Sequence, residues 1–549
     1  MPSQEPRHSV PTTALEVAAW PALSEDLIDL LAATGERIET SRGDVLFDVG
    51  ERSYDFYYVE SGVFEVVDRS EDRTVVRVGE GNFVGELGML MGQRTFFAGI
   101  IAEPGSIIRV PHDDIVHLIQ TIPELGDTIV TAFAARRRLL MDWGEGGLIL
   151  VGDEDDSVAL RLREFAGRSR LPHRWVSRND EAALEEVRRL CVLPETGAAV
   201  VTGRSEVLSN PSPKALACVM GLDLAADLSR PFDVIVIGAG PAGLAAAVYG
   251  ASEGLDVLVV EDTAIGGQAG TSSRIENYLG FPAGISGADL AFRGSVQAIK
   301  FGARIVAPRR ATRLVEEDAG FRITLDDGDE VAGHAIVLAN GVQYRRLPLE
   351  RLAEFEGRGV YYAATDLEAR FCRGTEAVIV GGGNSAGQAA MFLSRHADRV
   401  HVVVRGEGLA QTMSSYLSSR IDEDDRIRLW TRTQVTALAG EERLEEVTLT
   451  NADTGEEATI ESRALFIMIG AAPNTAWLGG RVALDEKGFV LTGRDAGPDL
   501  DGFATSCPGI YAVGDLRAGS VKRVASAVGE GSVVITAVHR DLAARTSGS

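Results

Sequence analysis

The chain has 549 residues, and at roughly 150 residues per domain this length predicts about three to four domains. Apolar residues make up 45% of the chain and charged residues 24%, which are ordinary values for folded proteins and exclude the disordered and fibrous classes. The 54 Lys and Arg residues against 80 Asp and Glu residues leave a net charge of −26, which disfavours nucleic-acid binding because that binding depends on basic side chains.

Cysteine is scarce and scattered, at Cys191, Cys218, Cys372 and Cys507. The two nearest are 27 residues apart, which excludes a CxxC pair, a zinc knuckle and a disulfide scaffold. Residues 1–13 hold no apolar segment of a secretion signal. The uncharged stretch 234–251 is long enough for a membrane span, but its glycine pattern is typical of a phosphate-binding loop. We therefore expect a soluble, cytoplasmic protein without a membrane partner or a metal site.

The first predicted domain, residues 21–143, follows an N-terminal tail over residues 1–20. Short β-like runs alternate with glycine turns through most of this domain, which predicts a small antiparallel barrel or jelly roll. A segment with helical apolar spacing follows over 113–141 and contains Arg136, Arg137 and Arg138. We interpret these arginines as a solvated helix end, since no helix-turn-helix unit that could read DNA follows them.

The run GEGNFVGELGML at 79–90 resembles the phosphate-binding cassette of cyclic-nucleotide-binding domains. The resemblance implies that Glu86 accepts a hydrogen bond from the ribose 2′-hydroxyl and that Arg94 pairs with the cyclic phosphate, while Gly85 lets backbone N–H groups approach it. That family usually has small residues after the arginine, whereas Phe96 and Phe97 follow here and are bulky enough to fill the pocket. Two hypotheses stay open: a domain that binds a cyclic nucleotide, and an inherited barrel that mediates domain contacts.

Residues 144–226 predict a small α/β unit in the order strand, helix, strand, helix, strand, strand, helix. This order resembles the thioredoxin and glutaredoxin fold, in which a redox CxxC stands where the first strand meets its helix. Here that place reads Gly-Asp-Glu-Asp-Asp-Ser over 152–157. Carboxylates suit the positive end of a helix dipole but exchange no disulfides. We therefore expect a thioredoxin-like domain without redox chemistry.

A strongly patterned loop follows the apolar strand predicted over 233–237. It contains Gly238, Gly240 and Gly243 and opens an alanine-rich helix. In such loops the first glycine makes the turn, the second admits a pyrophosphate and the third lets helix and strand approach closely. The next strand ends at Glu261, 23 residues after Gly238, where an acid bonds a ribose diol. Strand, loop, helix and acid together predict a dinucleotide-binding Rossmann domain.

A second loop of this kind, Gly-Gly-Gly-Asn-Ser-Ala over 381–386, follows the strand predicted over 378–380. The next strand ends at Arg405, 24 residues after Gly381. A cation at that place favours the ribose 2′-phosphate of NADP(H), whereas an acid would favour NAD. An acid at one site and an arginine at the other imply two different dinucleotides, FAD at the first and NADPH at the second.

From about residue 230 onward, the chain resembles the low-molecular-weight thioredoxin reductases. The matching motifs are Gly266-Gly267-Gln268, the second dinucleotide loop and the segments 275–278, 469–474 and 509–515. The resemblance implies a homodimer with two Rossmann-like domains in each chain. It places an FAD-binding domain over 230–346 and 467–549, interrupted by an NADPH-binding domain over 347–466.

The two loops and the resemblance together assign residues to each cofactor. For FAD they are Gly238, Gly240, Gly243, Glu261, Gly266, Gly267, Gln268, Asn277, Gly514, Asp515, Lys522, Arg523 and Val524. For NADPH they are Gly381, Gly383, Asn384, Ser385, Ala386 and Arg405. We hypothesise that a charge from Lys522 or Arg523 near the N1/C2 edge of the flavin stabilises the anionic reduced ring.

The redox cysteines of the family are missing from this chain. In thioredoxin reductases a segment of the NADPH domain reads Tyr-Cys-Ala-Thr-Cys-Asp, whereas residues 362–367 read Tyr-Ala-Ala-Thr-Asp-Leu. Ala363 and Asp366 stand where the cysteines would be. Disulfide exchange requires one thiolate that attacks and a second that resolves. Cys372 alone cannot supply both, and we expect it to be a buried packing residue.

Three functional hypotheses follow from these patterns. The first is an FAD-dependent NADPH oxidoreductase that delivers electrons to ferredoxin, flavodoxin, a quinone or oxygen. The second is a regulatory flavoprotein whose N-terminal barrel senses a ligand. The third is a thioredoxin-disulfide reductase that uses an external cysteine relay.

Overall fold

The structure is a computed structural model. It describes residues 7–8, 13–51, 54–69, 72–91, 93–143, 145, 147–153, 156–202, 206–222, 230–272, 275, 277–356, 358–362, 364, 366–409, 413–441, 443–500 and 502–547.

Two facing sheets make up the N-terminal barrel domain. Its described strands are β1 Arg7–His8, β2 Glu36–Thr40, β3 Val45–Phe47, β4 Phe56–Val59, β5 Val63–Asp68, β6 Arg73–Gly79, β7 Phe83–Val84, β8 Ala98–Glu103 and β9 Gly105–Val110. The sheet orders are β1-β6-β5-β8-β3 and β2-β9-β4-β7, and β1 with β6 is the parallel pair among them. Phe56, Phe64 and Phe83 are fully buried between the sheets. The predicted β-barrel or jelly roll is confirmed.

Helices close this barrel at its ends. They are α1 Ala14–Ala19, α2 Glu25–Thr34, α3 Leu87–Met91, α4 His112–Thr121 and α5 Pro123–Asp142. The prediction of a solvated helix end on α5 is wrong, because Arg136 and Arg137 are 6% and 1% exposed, and Arg138 alone of the three is exposed. Helices α1, α3 and α4 pack against α5, so both buried guanidinium groups face protein partners instead of water.

The middle domain, predicted over 144–226, has the predicted order of elements. They are β10 Leu148–Gly152, α6 Ser157–Arg168, β11 Arg174–Ser177, α7 Glu181–Leu190, β12 Ala199–Thr202, β13 Val207–Ser209 and α8 Pro213–Met220. The strand order is β11-β10-β12-β13, with β10 and β11 parallel and the other pairs antiparallel. Asp156 caps α6 by accepting from the Val158 N–H at 2.8 Å, and the neighbouring acids at 154 and 155 lie outside the described residues.

The first Rossmann-like domain begins at the glycine loop predicted from the sequence. Its elements are β14 Phe232–Ile237, α9 Pro241–Ser252, β15 Val257–Val260, α10 Gly287–Lys300, β16 Arg304–Val306, β17 Ala311–Glu317, β18 Gly320–Leu325, β19 Glu330–Leu338 and β20 Val342–Tyr344. Strands β14, β15, β16 and β19 are mutually parallel and carry Val, Ile and Leu in nearly continuous runs, as expected for a sheet that helices cover on both faces.

The second Rossmann-like domain is inserted next. Its elements are α11 Leu352–Phe355, β21 Val360–Tyr361, α12 Asp366–Phe371, β22 Glu376–Val380, α13 Asn384–Leu393, β23 Arg399–Val403, α14 Ser415–Glu423, β24 Ile427–Trp430, β25 Thr433–Ala439, β26 Glu446–Asn451 and β27 Glu457–Ile467. The sheet order is β24-β23-β22-β27-β26-β25, with β21 beside β27. Strands β22, β23, β24 and β27 are parallel, so their carboxyl ends meet at one edge.

The chain then returns to the first Rossmann-like domain through β28 Ala471–Pro473, β29 Ile510–Ala512 and α15 Val524–Ser547. The sheet order is β16-β15-β14-β19-β18-β17, and strand β29 pairs in parallel with β19 as the seventh strand. Strands β20 and β28 pair with each other where the chain leaves and re-enters this domain. The two segments that connect the domains therefore lie side by side. They are close to the domain boundaries predicted at 346/347 and 466/467, which stay predictions.

The apolar stretch at 234–251 has a structural role inside this domain. It forms most of β14, the glycine loop and nearly all of α9. None of the helices that the structure describes combines the length and apolar character needed to cross a membrane. No group of His, Cys, Asp and Glu side chains within the described ranges could hold a metal ion.

Candidate functional site

The loop after β14 has backbone conformations and contacts that require glycine. Gly238 has a φ of +104°, and a Cβ added there would lie 2.5 Å from the carbonyl oxygen of Ala339. A Cβ at Gly243 would lie 1.8 Å from the carbonyl oxygen of Gly238. At Gly240 the nearest atom to an added Cβ is the Cα of Gly267 at 3.9 Å. Open space therefore lies before the N-terminus of α9, a place that suits an anion such as a pyrophosphate.

Glu261 follows β15 and holds this loop in place. Its side chain is largely buried, and its carboxylate accepts from the N–H groups of Ala239 at 2.7 Å, Thr263 at 3.0 Å and Ala264 at 3.3 Å. Burial raises the pKa of this carboxyl, while the three N–H groups and a nearby arginine charge lower it. A carboxylate offers about four acceptor positions, so Glu261 keeps one with which it can accept from a ribose hydroxyl.

The segment Gly266–Gln268 lies against the same loop. The Gly266 N–H donates to the carbonyl oxygen of Ala239 at 2.8 Å, and a Cβ added at Gly267 would lie 3.1 Å from the Cα of Gly240. The side-chain amide of Gln268 donates to the carbonyl oxygen of Val342 at the start of β20. These contacts place the segment as the opposite wall of the space beside Gly240.

The C-terminal segment reaches this region from β29. Gly514 has a φ of +68°, and a Cβ added there would lie 3.0 Å from the Cβ of Ala242 in α9. Asp515 is half-buried, and burial raises the pKa of its carboxyl, while the charge of Lys522 opposes the rise. The structure thus brings together the glycine loop, Glu261, the 266–268 segment and the 514–515 segment.

Four other predicted residues lie nearer the surface. Asn277, Lys522 and Arg523 are exposed, and Val524 begins α15. The Nζ atom of Lys522 lies 5.3 Å from the centre of the Phe489 ring. The positive charge of Lys522, before the N-terminus of α15, suits a role toward a negatively charged group, as the hypothesis for Lys522 requires.

The middle domain contributes an unexpected contact to this site. Arg168, the last residue of α6, donates from Nη2 to the carbonyl oxygens of Ala264 at 3.1 Å and Gly267 at 3.2 Å. Its charge also opposes the burial that raises the pKa of Glu261. No signal in the sequence points to Arg168, because it lies in another domain and belongs to no dinucleotide motif.

The second glycine loop repeats the geometry of the first. Gly381 has a φ of +146°, and a Cβ added there would lie 2.4 Å from the carbonyl oxygen of Met468. Gly383 is the residue that precedes α13, whose first turn contains the exposed Ser385 and the buried Ala386. The N-terminus of α13 therefore opens to solvent and can accept phosphate groups.

Arg405 stands two residues after the end of β23 and is exposed. In the part of the chain that the structure describes, it takes part in no ion pair. Glu407 nearby pairs with Arg432 at 2.7 Å, and Asn384 accepts from the Ser414 N–H at 2.8 Å. An exposed guanidinium at the end of the second strand suits a ribose 2′-phosphate, which it can bind in a bidentate manner.

The segment that replaces the family's redox pair is described only in part. Ala363 lies outside the described residues, and Asp366 is the first residue of α12. Four positions before Asp366, the ring of Tyr362 stacks on that of Tyr344 with centroids 5.3 Å apart. The Tyr362 hydroxyl donates to Glu356 at 2.5 Å, so aromatic packing flanks this segment.

Cys372 is the thiol nearest this segment in the sequence, and it is fully buried. Its Sγ donates to the carbonyl oxygen of Glu368 at 3.5 Å. Burial, helped by the nearby Glu368 charge, raises the pKa of the thiol to about 12. Because the thiolate is the reactive form, Cys372 is inert near neutral pH. Its predicted role as a packing residue is confirmed.

In the barrel, the side chain that the motif assigns to a ribose hydroxyl has a protein partner. The carboxylate of Glu86 accepts from Nε of Arg137 at 2.9 Å and from Nη2 at 2.5 Å. Arg137 Nη2 also donates to the side chain of Gln93 at 2.9 Å. One oxygen of the carboxylate expected to bind a ribose hydroxyl is therefore bound by a buried arginine from α5.

The backbone of Arg94 contacts the middle domain. The Arg94 N–H donates to the carbonyl oxygen of Met220 in the middle domain at 3.0 Å. The cavity has a volume of about 80 Å³, and Arg94 is absent from the described residues that line it, whereas Phe96 and Phe97 are present. The role of Arg94 toward a cyclic phosphate stays a prediction.

Arg136 is the arginine that lines the cavity instead. Its guanidinium lies 4.2 Å from the centre of the Trp20 ring and 4.4 Å from that of Phe83. It donates at 2.8 Å to the carbonyl oxygens of Ala19 and of Gly85. Burial lowers the pKa of Arg136 to about 9. Cation–π contacts and two carbonyl acceptors stabilise the buried charge, while its Nη2 atom is buried without a hydrogen-bond partner among the described residues.

Comparisons with known proteins agree with this architecture. Residues 232–531 match the family described as pyridine nucleotide-disulphide oxidoreductase, and residues 37–122 match the cyclic nucleotide-binding domain. Thioredoxin reductase of Treponema pallidum is 35% identical over 306 residues, which cover 56% of this chain and 95% of that protein. Thioredoxin reductase of Bacillus subtilis is 32% identical over 309 residues, which cover 56% and 94%. The solved structure of thioredoxin reductase from Streptococcus pyogenes is 29% identical, covers 57% of this chain and 98% of that chain, and has a TM-score of 0.52.

Proposed function

The chain belongs to the pyridine nucleotide-disulphide oxidoreductase family, as an NADPH-dependent flavin oxidoreductase with an N-terminal cyclic nucleotide-binding domain, and on that premise we propose that its electrons go to an acceptor that needs no dithiol on the enzyme. When both cofactors of the family are bound, they supply hydride transfer from the nicotinamide to the flavin N5. The acceptor is then a small redox protein, such as ferredoxin or flavodoxin, or a quinone or oxygen. We also propose a homodimer in the cytoplasm.

The observation that supports this acceptor class is the placement of cysteine. Ala363 and Asp366 occupy the positions of the family's redox pair, so no dithiol is available in that segment. Cys372 is buried, with a raised thiol pKa. Disulfide reduction through the chain's own thiols would need two that can approach each other. The third hypothesis, an external cysteine relay, would have to bring both thiols with it.

The chain's own residues bind and orient the two dinucleotides. In the proposal, Gly240 and Gly267 leave space for the FAD pyrophosphate, and Glu261 accepts from its ribose. Gly383 and the start of α13 face the NADPH phosphates, and Arg405 binds the ribose 2′-phosphate. Lys522 and the N-terminus of α15 hold positive charge that would favour a negatively charged flavin.

Anaerobic titration of the flavin-loaded protein with NADPH tests the proposal. We expect the flavin absorbance to bleach with one equivalent of NADPH per bound FAD, and the number of thiols that react with a chromogenic disulfide to stay unchanged. A dithiol enzyme would instead take up about one further equivalent of NADPH per FAD and expose two new thiols.

An acceptor panel completes that experiment. Ferredoxin, flavodoxin, a quinone and oxygen are compared with thioredoxin, all at saturating NADPH. Turnover with one of the first four and none with thioredoxin supports the proposal. Thioredoxin reduction by the purified chain alone, or two new thiols after NADPH addition, would overturn it.

We expect that cyclic nucleotides do not bind the barrel domain. This expectation disfavours the second hypothesis, a regulatory flavoprotein whose barrel senses a cyclic nucleotide. Phe96 and Phe97 line the cavity, whereas Arg94 is absent from the described residues that line it. Glu86 is already paired with Arg137. A ligand at about 100 times its Kd would add about 2.7 kcal/mol to the free energy of unfolding. We expect cyclic AMP and cyclic GMP to shift the Tm by less than about 1 °C. A rise of several degrees, with heat of binding in calorimetry, would contradict this.

A further inference from the structure

The turn after α6 in the middle domain contacts both of its neighbours. On one side, Arg168 donates two hydrogen bonds to the carbonyl oxygens of Ala264 and Gly267. On the other side, the carbonyl oxygen of Arg170 accepts from Nη1 of Arg137 in the barrel domain at 3.2 Å. The side chain of Arg170 pairs with Asp289 on α10. Three domains therefore meet at this turn.

The backbone of the turn is held in an uncommon conformation. Arg170 has a φ of +51°, the left-handed region that residues other than glycine rarely adopt. Such conformations persist when surrounding contacts determine them. Here the contacts are the ion pair with Asp289, the bond from Arg137 and the bond from the Leu171 N–H to the carbonyl oxygen of Ala166 at 2.9 Å.

Arg168 acts on the wall of the proposed pyrophosphate space. Gly267, whose carbonyl oxygen it binds, lies against Gly240 across that space. The Arg168 charge is close enough to lower the pKa of Glu261 against the effect of burial. The guanidinium therefore fixes the backbone of the 266–268 segment and adds positive charge beside a site for an anionic dinucleotide.

We propose that Arg168 of the middle domain is a positioning residue for FAD, which it serves by holding the 266–268 segment in the binding conformation. The middle domain, in which we expect no redox chemistry, thereby contributes to the affinity of another domain for its cofactor. This inference rests on FAD as the cofactor and is independent of the electron acceptor. It can therefore fail while the proposed acceptor class holds, and the proposed acceptor class can fail while the inference holds.

The test compares FAD binding by apoprotein variants of the full chain. Arg168→Ala removes both hydrogen bonds and the charge, and we expect the Kd for FAD, measured by quenching of flavin fluorescence, to rise by about tenfold or more. Arg161→Ala is the matched control, because Arg161 lies on the same helix and is exposed. A Kd for Arg168→Ala within about twofold of wild type, with Arg161→Ala also unchanged, would overturn the proposal.

A second pair of variants separates positioning from general stability. Arg168→Lys keeps the charge and a donor, whereas Arg168→Gln keeps a donor without the charge. We expect the Kd of the lysine variant to lie nearer to wild type than that of the glutamine variant, with both apoproteins melting within about 3 °C of wild type. If the glutamine variant binds FAD as tightly as wild type, the proposal is wrong even where Arg168→Ala fails to fold.

Discussion

Replacing Gly240 with valine is expected to give a folded protein that purifies without flavin. The backbone at Gly240 is extended, with φ of −73° and ψ of −179°, a conformation that valine adopts readily. An added Cβ meets no protein atom nearer than 3.9 Å. The valine side chain would instead fill the space that a pyrophosphate needs, so the loss should fall on FAD binding and not on the fold.

The magnitude and the measurement follow from that argument. We expect the flavin-to-protein absorbance ratio to fall by more than about tenfold, while the free energy of unfolding of the apoprotein changes by less than about 1 kcal/mol. Gly243→Val is the contrasting variant, because its Cβ would lie 1.8 Å from the carbonyl oxygen of Gly238. That variant should lose stability as well as flavin. A yellow Gly240→Val protein with wild-type flavin content would show that the pyrophosphate does not approach this glycine.

Both glycine loops were predictable because their geometry is local. Gly238 and Gly381 each follow a short apolar strand and have positive φ values of +104° and +146°. The turn, the helix start and the next strand all lie within about 25 residues, so sequence spacing alone constrains them. The exit and return of the chain around the second Rossmann-like domain depend on long-range strand pairing, and their prediction came from the family resemblance.

The arginines were not predictable in this way. Arg136 and Arg137 follow each other in a run of three charges, a pattern that is usually a solvated surface. Their burial depends on Trp20, on Glu86 and on helices that arrive from elsewhere in the chain. Arg168 likewise meets its acceptors almost a hundred residues away. Contacts between residues far apart in the sequence set the role of each arginine, and local residue spacing carries no information about them.

Changing Arg405 to glutamate is expected to reverse the nucleotide preference of the enzyme. Arg405 is exposed at the end of the second strand, and within the described residues no acid pairs with it. A bidentate contact with a ribose 2′-phosphate would be lost, and a carboxylate would repel that group. We expect kcat/KM for NADPH to fall by about 100-fold, equivalent to about 2.7 kcal/mol, while kcat/KM for NADH is unchanged or rises because glutamate can accept from a ribose diol.

The comparison of the two nucleotides makes this prediction specific. Arg395→Glu, at an exposed position beyond the C-terminus of α13, introduces the same charge change away from the strand end and should leave both kcat/KM values near wild type. Arg405→Lys keeps the charge but loses the bidentate geometry, so its loss with NADPH should be intermediate. An equal fall with NADPH and NADH for Arg405→Glu would mean that the side chain supports the fold of the loop and not the 2′-phosphate. The 2′-phosphate would then need another cation, and the assignment of NADPH to the second loop would lose the residue on which it depends.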